Sequence, residues 1–113
     1  MPTFRIDGSI IVGIDDPNGQ FPSIPSNITA IANSAFHRCS GLTGEARIPN
    51  SVTYIGSTAF YGCSGLSSLT IPSSVKTIED AAFAGCSGYD GILLITNPLT
   101  TKGADAFLGC NFK

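Results

Sequence analysis

Four cysteines are the residues of this chain with the widest chemical reach. Cys39, Cys63, Cys86 and Cys110 stand 24, 23 and 24 residues apart. Thiols can hold zinc, form disulfides or act as nucleophiles. Zinc needs four ligands that converge tetrahedrally, usually drawn from pairs spaced by roughly two to four residues. No such pair exists here. Even spacing instead puts one thiol on each turn of a repeating coil, and a line of ligands does not converge. Adjacent turns would stack at about 4.8 Å, inside the ~4.4–6.8 Å Cα separation that a disulfide tolerates, so distance alone permits bridges. Each cysteine, however, follows a phenylalanine in an apolar block, where a free thiol packs as a small hydrophobe. Buried, unliganded, free thiols are the expectation.

The other candidates are weaker still. His37 is the single histidine, so a histidine-based metal cluster is excluded. Its nearest thiol, Cys39, belongs to the core column, and a solvent-facing imidazole is expected. The acids Asp7, Asp15, Asp16, Glu45, Glu79, Asp80, Asp90 and Asp105 fall mostly in turns and joints. They offer no opposed carboxylates for general acid and base work. Asp15-Asp16-Pro17-Asn18-Gly19 departs from a calcium loop: Ile14 stands where an acid is required, and the later acid is missing. A β-turn is the better reading. The glycine-containing joints carry no phosphate loop. Asn27-Ile28-Thr29 is a glycosylation sequon, which matters only in a eukaryotic secretory pathway. No catalytic residue, cofactor or metal site follows from these residues, so the expectation is a protein that is not an enzyme.

The elements that would position these side chains are repeats. Phe36, Phe60, Phe83 and Phe107 follow the cysteine spacing, as do Ile24, Ile48, Ile71 and Ile95. Ala35, Ala59, Ala82 and Ala106 keep it too. A further column is Ile28, Val52, Val75 and Leu99; another, Ile31, Ile55 and Ile78, breaks at Lys102. A repeat of this length cannot enclose its own apolar face, so neighbours must stack. The predicted fold is a β-solenoid, leucine-rich-repeat-like, with a parallel concave sheet and four turns. Its strands should be Phe21 to Ile24, Glu45 to Ile48, Ser68 to Ile71 and Ile92 to Ile95. Pro25, Pro49 and Pro72 then stop the first three, because proline has no N–H for a ladder. The Ala-Phe-x-x-Cys block is expected to form a short helical turn on the convex return. Phe4, Ile6, Ile10, Val12 and Ile14 alternate around Asp7-Gly8, a hairpin signal. Residues 1–20 are therefore read as an N-terminal cap hairpin, and residues 21–113 as the array with a degenerate C-terminal repeat.

The pattern LxxLxIPxxVxxIxxxAFxxCxxL resembles the BspA-type leucine-rich repeat. Leu66, Leu69, Ile71, Pro72, Val75, Ile78, Ala82, Phe83 and Cys86 match it one by one. The resemblance runs from Ile24 to about Cys110. It implies a right-handed coil with its sheet on the concave side. It also implies a secreted or cell-surface protein that binds host proteins or mediates attachment.

Composition narrows the partners. Only 12% of residues are charged and the net charge is −2, which disfavours nucleic acid, whose phosphates need clustered Lys and Arg. No run approaches the ~18 apolar residues of a membrane helix. Met1 to Asp16 is not a signal peptide, since its apolar run is short and interrupted by Gly8 and Gly13. The chain is then either a domain of a longer exported protein or unexported.

The expected function is a non-enzymatic module binding protein or surface glycan through the concave sheet. Residues one and three before each Ile should face outward: Phe21, Ser23, Glu45, Arg47, Ser68, Thr70, Ile92 and Leu94. Tyr54 and Tyr61 on the convex return are a second candidate, because aromatic residues often anchor interfaces. A row of Thr29, Thr53 and Thr100 resembles an ice-binding face only weakly, being interrupted by Lys76. The rival expectation is a structural or assembly module. Ile92 and Leu94 would leave an apolar patch at the C-terminal end, suited to a homodimer or to docking within a larger parent, unless Phe107, Leu108 and Phe112 fold over it.

Overall fold

The computed structural model describes residues 1–91 and 95–112. The chain coils with two short strands per turn and a corner of tight turns between them. One sheet is built from the segments that precede the Ile-Pro pairs: β3 (Gly19–Gln20), β5 (Leu42–Arg47) and β7 (Leu66–Thr70), paired in parallel in that order. Ile71 continues this side through a parallel bridge to Ile95. β9 (Asp90–Gly91) and β11 (Asn111–Phe112) form a separate parallel pair. Alternation buries Ala46 and Ile48 while Glu45 and Arg47 stay outside, as the period of two along a strand requires.

A second sheet lies on the return side, where the sequence reading expected none. It runs β1 (Thr3–Asp7), β2 (Ile10–Asp15), β4 (Ala30–Ile31), β6 (Tyr54–Ile55), β8 (Thr77–Ile78) and β10 (Thr101–Lys102). β1 and β2 form the antiparallel hairpin around Gly8, whose φ is 64°. β2 then pairs in parallel with β4 through Ile10–Ala30 and Ile11–Ile31. The hairpin is thereby continuous with the coil. The strands β4, β6, β8 and β10 are two residues long, too brief to leave a period-two signature in sequence.

The corners are not helical. Each carries two residues in the left-handed region, four apart: Ser34 and Arg38, Thr58 and Gly62, Ala81 and Gly85, Asp105 and Gly109. Repeated left-handed residues forbid a continuous α-helix. Successive four-residue turns take its place, such as Ala35 N–H to Ala32 O and Cys39 N–H to Phe36 O, both 3.2 Å. The corners also bond from coil to coil: Phe36 N–H donates to Ala59 O at 2.7 Å, Phe60 N–H to Ala82 O at 2.7 Å and Phe83 N–H to Ala106 O at 2.8 Å.

The phenylalanine column forms the spine of the core. Ring centroids of Phe36 and Phe60 lie 4.9 Å apart, Phe60 and Phe83 4.8 Å, Phe83 and Phe107 5.4 Å. Phe4 of the hairpin packs edge-on against Phe21 and Phe36.

At the other end the repeat columns slip. The turn bonds Ile28 N–H to Pro25 O, Val52 to Pro49 and Val75 to Pro72 have as their fourth member Thr100 N–H to Asn97 O. Thr100, not Leu99, therefore takes the interior place. Thr100 is 6% exposed and Leu99 85%, which corrects the fourth member of that column. The Thr100 hydroxyl donates to Val75 O at 2.8 Å, so its polar atom is satisfied inside. This burial also removes Thr100 from any surface threonine row.

Candidate functional site

The cysteines occupy the interior line beside the Phe spine. Cys63 and Cys86 are buried; Cys39 and Cys110 are only half-buried, because they sit on the first and last corners. All four are free. Each of three thiols donates to the carbonyl of the phenylalanine one coil earlier: Cys63 to Phe36 O at 3.1 Å, Cys86 to Phe60 O and Cys110 to Phe83 O at 3.0 Å. The Cys110 thiol draws the Cys86 pKa down, but the Cys63 thiol and burial outweigh it and push Cys86 up to about 12. Hydrogen bonding to Cys86, then burial, pushes Cys110 well up, and burial raises Cys39. Thiols held protonated are poor nucleophiles and poor ligands. Cys63, Cys86 and Cys110 each give a phenylalanine carbonyl a second donor, beside the N–H of the cysteine three residues after that phenylalanine.

His37 is exposed and stacks on Tyr61, with centroids 5.3 Å apart, while Arg38 lies 5.9 Å from the same ring. Tyr61 thus belongs to a corner, whereas Tyr54 lies in β6 with its phenol pKa raised by burial and by Glu79. The two tyrosines sit on different sides of the coil and form no joint surface.

The outer face of β3–β5–β7 is where exposed polar groups gather. Ser23, Glu45, Arg47, Ser68 and Thr70 all lie on the exterior. Glu45 pairs across the sheet with Ser68, and Arg47 with Thr70. Phe21 departs from the predicted row: it is 5% exposed and packs against Phe4, Phe36 and Phe60. The cause is register. The repeat columns equate Phe21 with Glu45, but Gln20 pairs with Thr43 and Gly19 with Leu42, one residue out of that alignment. A one-residue slip turns a side chain to the other face. Pro22 then ends the strand, having no N–H. Ile92 and Leu94 lie outside the described residues.

The slip brings in a residue that the sequence reading missed. Gln20 takes the exterior position and lines a cleft of about 200 Å³ together with Phe21, Pro22, Ser23, Glu45 and Arg47. A second cleft of about 250 Å³ adjoins it, sharing Gln20, Phe21, Pro22 and Ser23. Period-two reading backward from the Thr43 partner would have found Gln20, but that pairing is not visible in one sequence. Within the first cleft Arg47 Nη2 meets Glu45 Oε1 at 3.2 Å, and Thr70 Oγ1 donates to Glu45 Oε2 at 3.1 Å. The Arg47 side chain remains 78% exposed. Among the described residues no group of three or more His, Cys, Asp or Glu is placed to hold a metal ion. No helix there is long and apolar enough to cross a membrane.

Comparison with known proteins adds to this geometry. A model of the BspA-type leucine-rich repeat region matches residues 18–113, in six copies. The coil has four Ala-Phe corners, so matches and turns do not correspond one to one. No curated protein matches the sequence. A leucine-rich repeat protein from Bacteroides ovatus is similar in structure, with a TM-score of 0.79 and 32% identity over 99% of this chain and 32% of its own. The leucine-rich repeat protein of T. pallidum gives a TM-score of 0.69 and 27% identity, over 91% of this chain and 50% of its own. One from Bacteroides capillosus, at 22% identity and a TM-score of 0.62 over 99% of this chain and 92% of its own, bears on the fold alone. The chain spans about a third and a half, respectively, of the first two.

Proposed function

The chain belongs to the BspA-type leucine-rich repeat family, and from that premise we propose that it is a non-enzymatic binding module. It engages a protein or a surface glycan through the outer face of β3–β5–β7, at the cell surface or after secretion, in attachment. The observation that carries this reading is the cleft in which Gln20, Ser23, Glu45 and Arg47 converge. Those side chains stand on a coil whose interior is filled by the Phe spine, so the backbone that carries them is fixed before a partner arrives. Rigid presentation lowers the ordering cost of association.

A labelled sample on a glycan array and on immobilised extracellular-matrix proteins tests it. Binding should be lost in Arg47→Glu/Ser68→Lys and kept in Thr77→Lys, which alters the opposite sheet. No binding to either panel, or loss only with Thr77→Lys, rejects the proposal.

A second reading, an assembly module, draws on the last coil. Leu99 and Leu108 are 85% and 63% exposed there, and exposed apolar groups often mark contacts. Under that reading the C-terminal end joins a second copy. Solution mass at high concentration decides: a monomer rejects it, and a dimer lost in Leu99→Glu/Leu108→Lys supports it.

A further inference from the structure

We infer that the open edge of β1 is an interface: it pairs antiparallel with β1 of a second copy of this chain, centred on Ile6. β1 is the outermost strand of the six-stranded sheet and pairs with β2 alone. It is five residues long, where β4, β6, β8 and β10 have two each. An open edge of that length is a template for another strand. The hairpin also carries apolar side chains outside the core. Among the described residues, Ile6, Ile10 and Val12 are three of the six large hydrophobic residues left exposed. The loop geometry sets which backbone groups point out. Asp7 and Ile10 close a two-residue loop, and such a closing pair exchanges its hydrogen bonds inward. The next residue, Ile6, therefore turns its N–H and C=O away from β2. The register shift between Arg5 and Ile6 leaves Val12 of β2 unmatched, so alternation along β1 itself continues and Phe4 points out as well. Ile6 lies opposite the fully buried Ile11, yet is itself 44% exposed. It is the rim of the core, and a second Ile6 across the edge extends that core.

Charge selects the partner and the register. A two-fold pairing sets residue i against residue j and j against i. Centred on Arg5, it opposes Arg5 to Arg5; centred on Asp7, it opposes Asp7 to Asp7. Like charges directly opposite are destabilising. Centred on Phe4, it brings Pro2, which has no N–H, into the ladder. Centred on Ile6, it sets Arg5 of each copy against Asp7 of the other. Those two pairs fall at the closer, non-hydrogen-bonded positions, where side chains interact most. Arg5 also holds Asp15 at 3.2 Å, with both side chains more than half exposed, and a guanidinium has donors for two acids. Asp7 has no ion pair among the described residues. The charges that would repel a strand of arbitrary sequence thus match a second copy in one register.

The experiment is sedimentation of the whole chain, taken up to millimolar concentration. The wild type should reach a dimer. Arg5→Asp alone opposes acid to acid, and Asp7→Arg alone opposes cation to cation, so each should weaken the dimer about tenfold or more. Mixed one to one, the two variants meet with opposite charges and should form a heterodimer. That recovery also shows both variants to be folded. Asp7→Arg breaks no ion pair within the chain, so it reads the interface by itself if Arg5→Asp, which gives up Asp15, unfolds. Leu99→Glu/Leu108→Lys, at the other end of the coil, should leave this dimer intact. A monomer throughout overturns the pairing and leaves the edge to a strand of another protein. A dimer that ignores both charge swaps overturns it too, as does a mixture of the folded variants that stays monomeric. A dimer lost only in Leu99→Glu/Leu108→Lys overturns it in favour of the C-terminal contact.

Discussion

The first and last turns of the coil build their cores by opposite means. At the N-terminal end an added hairpin lies over the first turn, with Ile11 fully buried and Phe4 packed on Phe21 and Phe36. At the C-terminal end the core is thinned instead. Thr100 stands where Ile28, Val52 and Val75 pack in the earlier turns, and Lys102 is exposed where Ile31, Ile55 and Ile78 are buried. Covering an end keeps its apolar residues useful to the core. Diluting an end lowers the penalty of exposing it, at the expense of local stability. A stack of repeats is approximately a sum of nearest-neighbour terms, so stability should decline toward the diluted end.

Truncating the spine tests that gradient most severely. Phe60→Ala and Phe83→Ala remove rings buried between neighbours and should each cost about 3–5 kcal/mol. Phe107→Ala, half-buried on the last coil, should cost about half as much or less. Urea melts of the three variants measure this, and an equal loss at all three would erase the distinction between interior and end.

The thiol ladder sharpens the comparison through pH. The folded pKa of Cys86 is about 12 against an ordinary value of 9.0. A raised folded pKa means that the native state holds its proton more tightly. The resulting stability is whole below pH 9 and is lost as pH rises from there toward 12. At pH 10.5 the loss from this group should be about 2 kcal/mol. Cys86→Ala should flatten the decline between pH 9 and 10.5, and an unchanged slope would mean that the thiol ionises freely.

A smaller effect checks the register of the last turn. Thr100→Val removes the bond to Val75 O and should cost about 1 kcal/mol, whereas Leu99→Ser should leave the melting midpoint nearly unchanged. The reverse pattern would return Leu99 to the interior. The smallest effect has the opposite sign. Arg38 has φ of 58°, while Gly62, Gly85 and Gly109 fill the equivalent corner position. Arg38→Gly should stabilise by about 0.5–1 kcal/mol, less whatever its contact with Tyr61 contributes. Thermal melting resolves the sign.

The stacking and the interior columns were legible because Phe, Ala, Ile and Cys recur at one spacing. What was illegible depends on pairing rather than on residue type. Nothing in Tyr54-Ile55 or Thr77-Ile78 announces a strand, since two residues cannot show a period. The left-handed corner positions are two hydroxyls, Ser34 and Thr58, then Ala81 and Asp105, and none is the glycine that such a backbone favours. The coil-to-coil ladder sets their conformation, against their own preference. Phe21 was misplaced and Gln20 missed for one reason: the first turn pairs one residue out of its sequence alignment. Among the outward residues, Ser23, Glu45 and Arg47 could be found because that slip ends before Ile24.

The coil-to-coil hydrogen bonds have a mechanical consequence. They run between neighbouring turns on both sheets and at every corner, and so lie along the coil axis. Tension applied to the two chain ends peels these bonds a few at a time, instead of shearing a whole sheet together. Each released turn of 23 or 24 residues frees about 80 Å of chain. Under a steady pull the molecule should yield at modest force, in steps of that size, beginning at the diluted end and reaching the capped hairpin last.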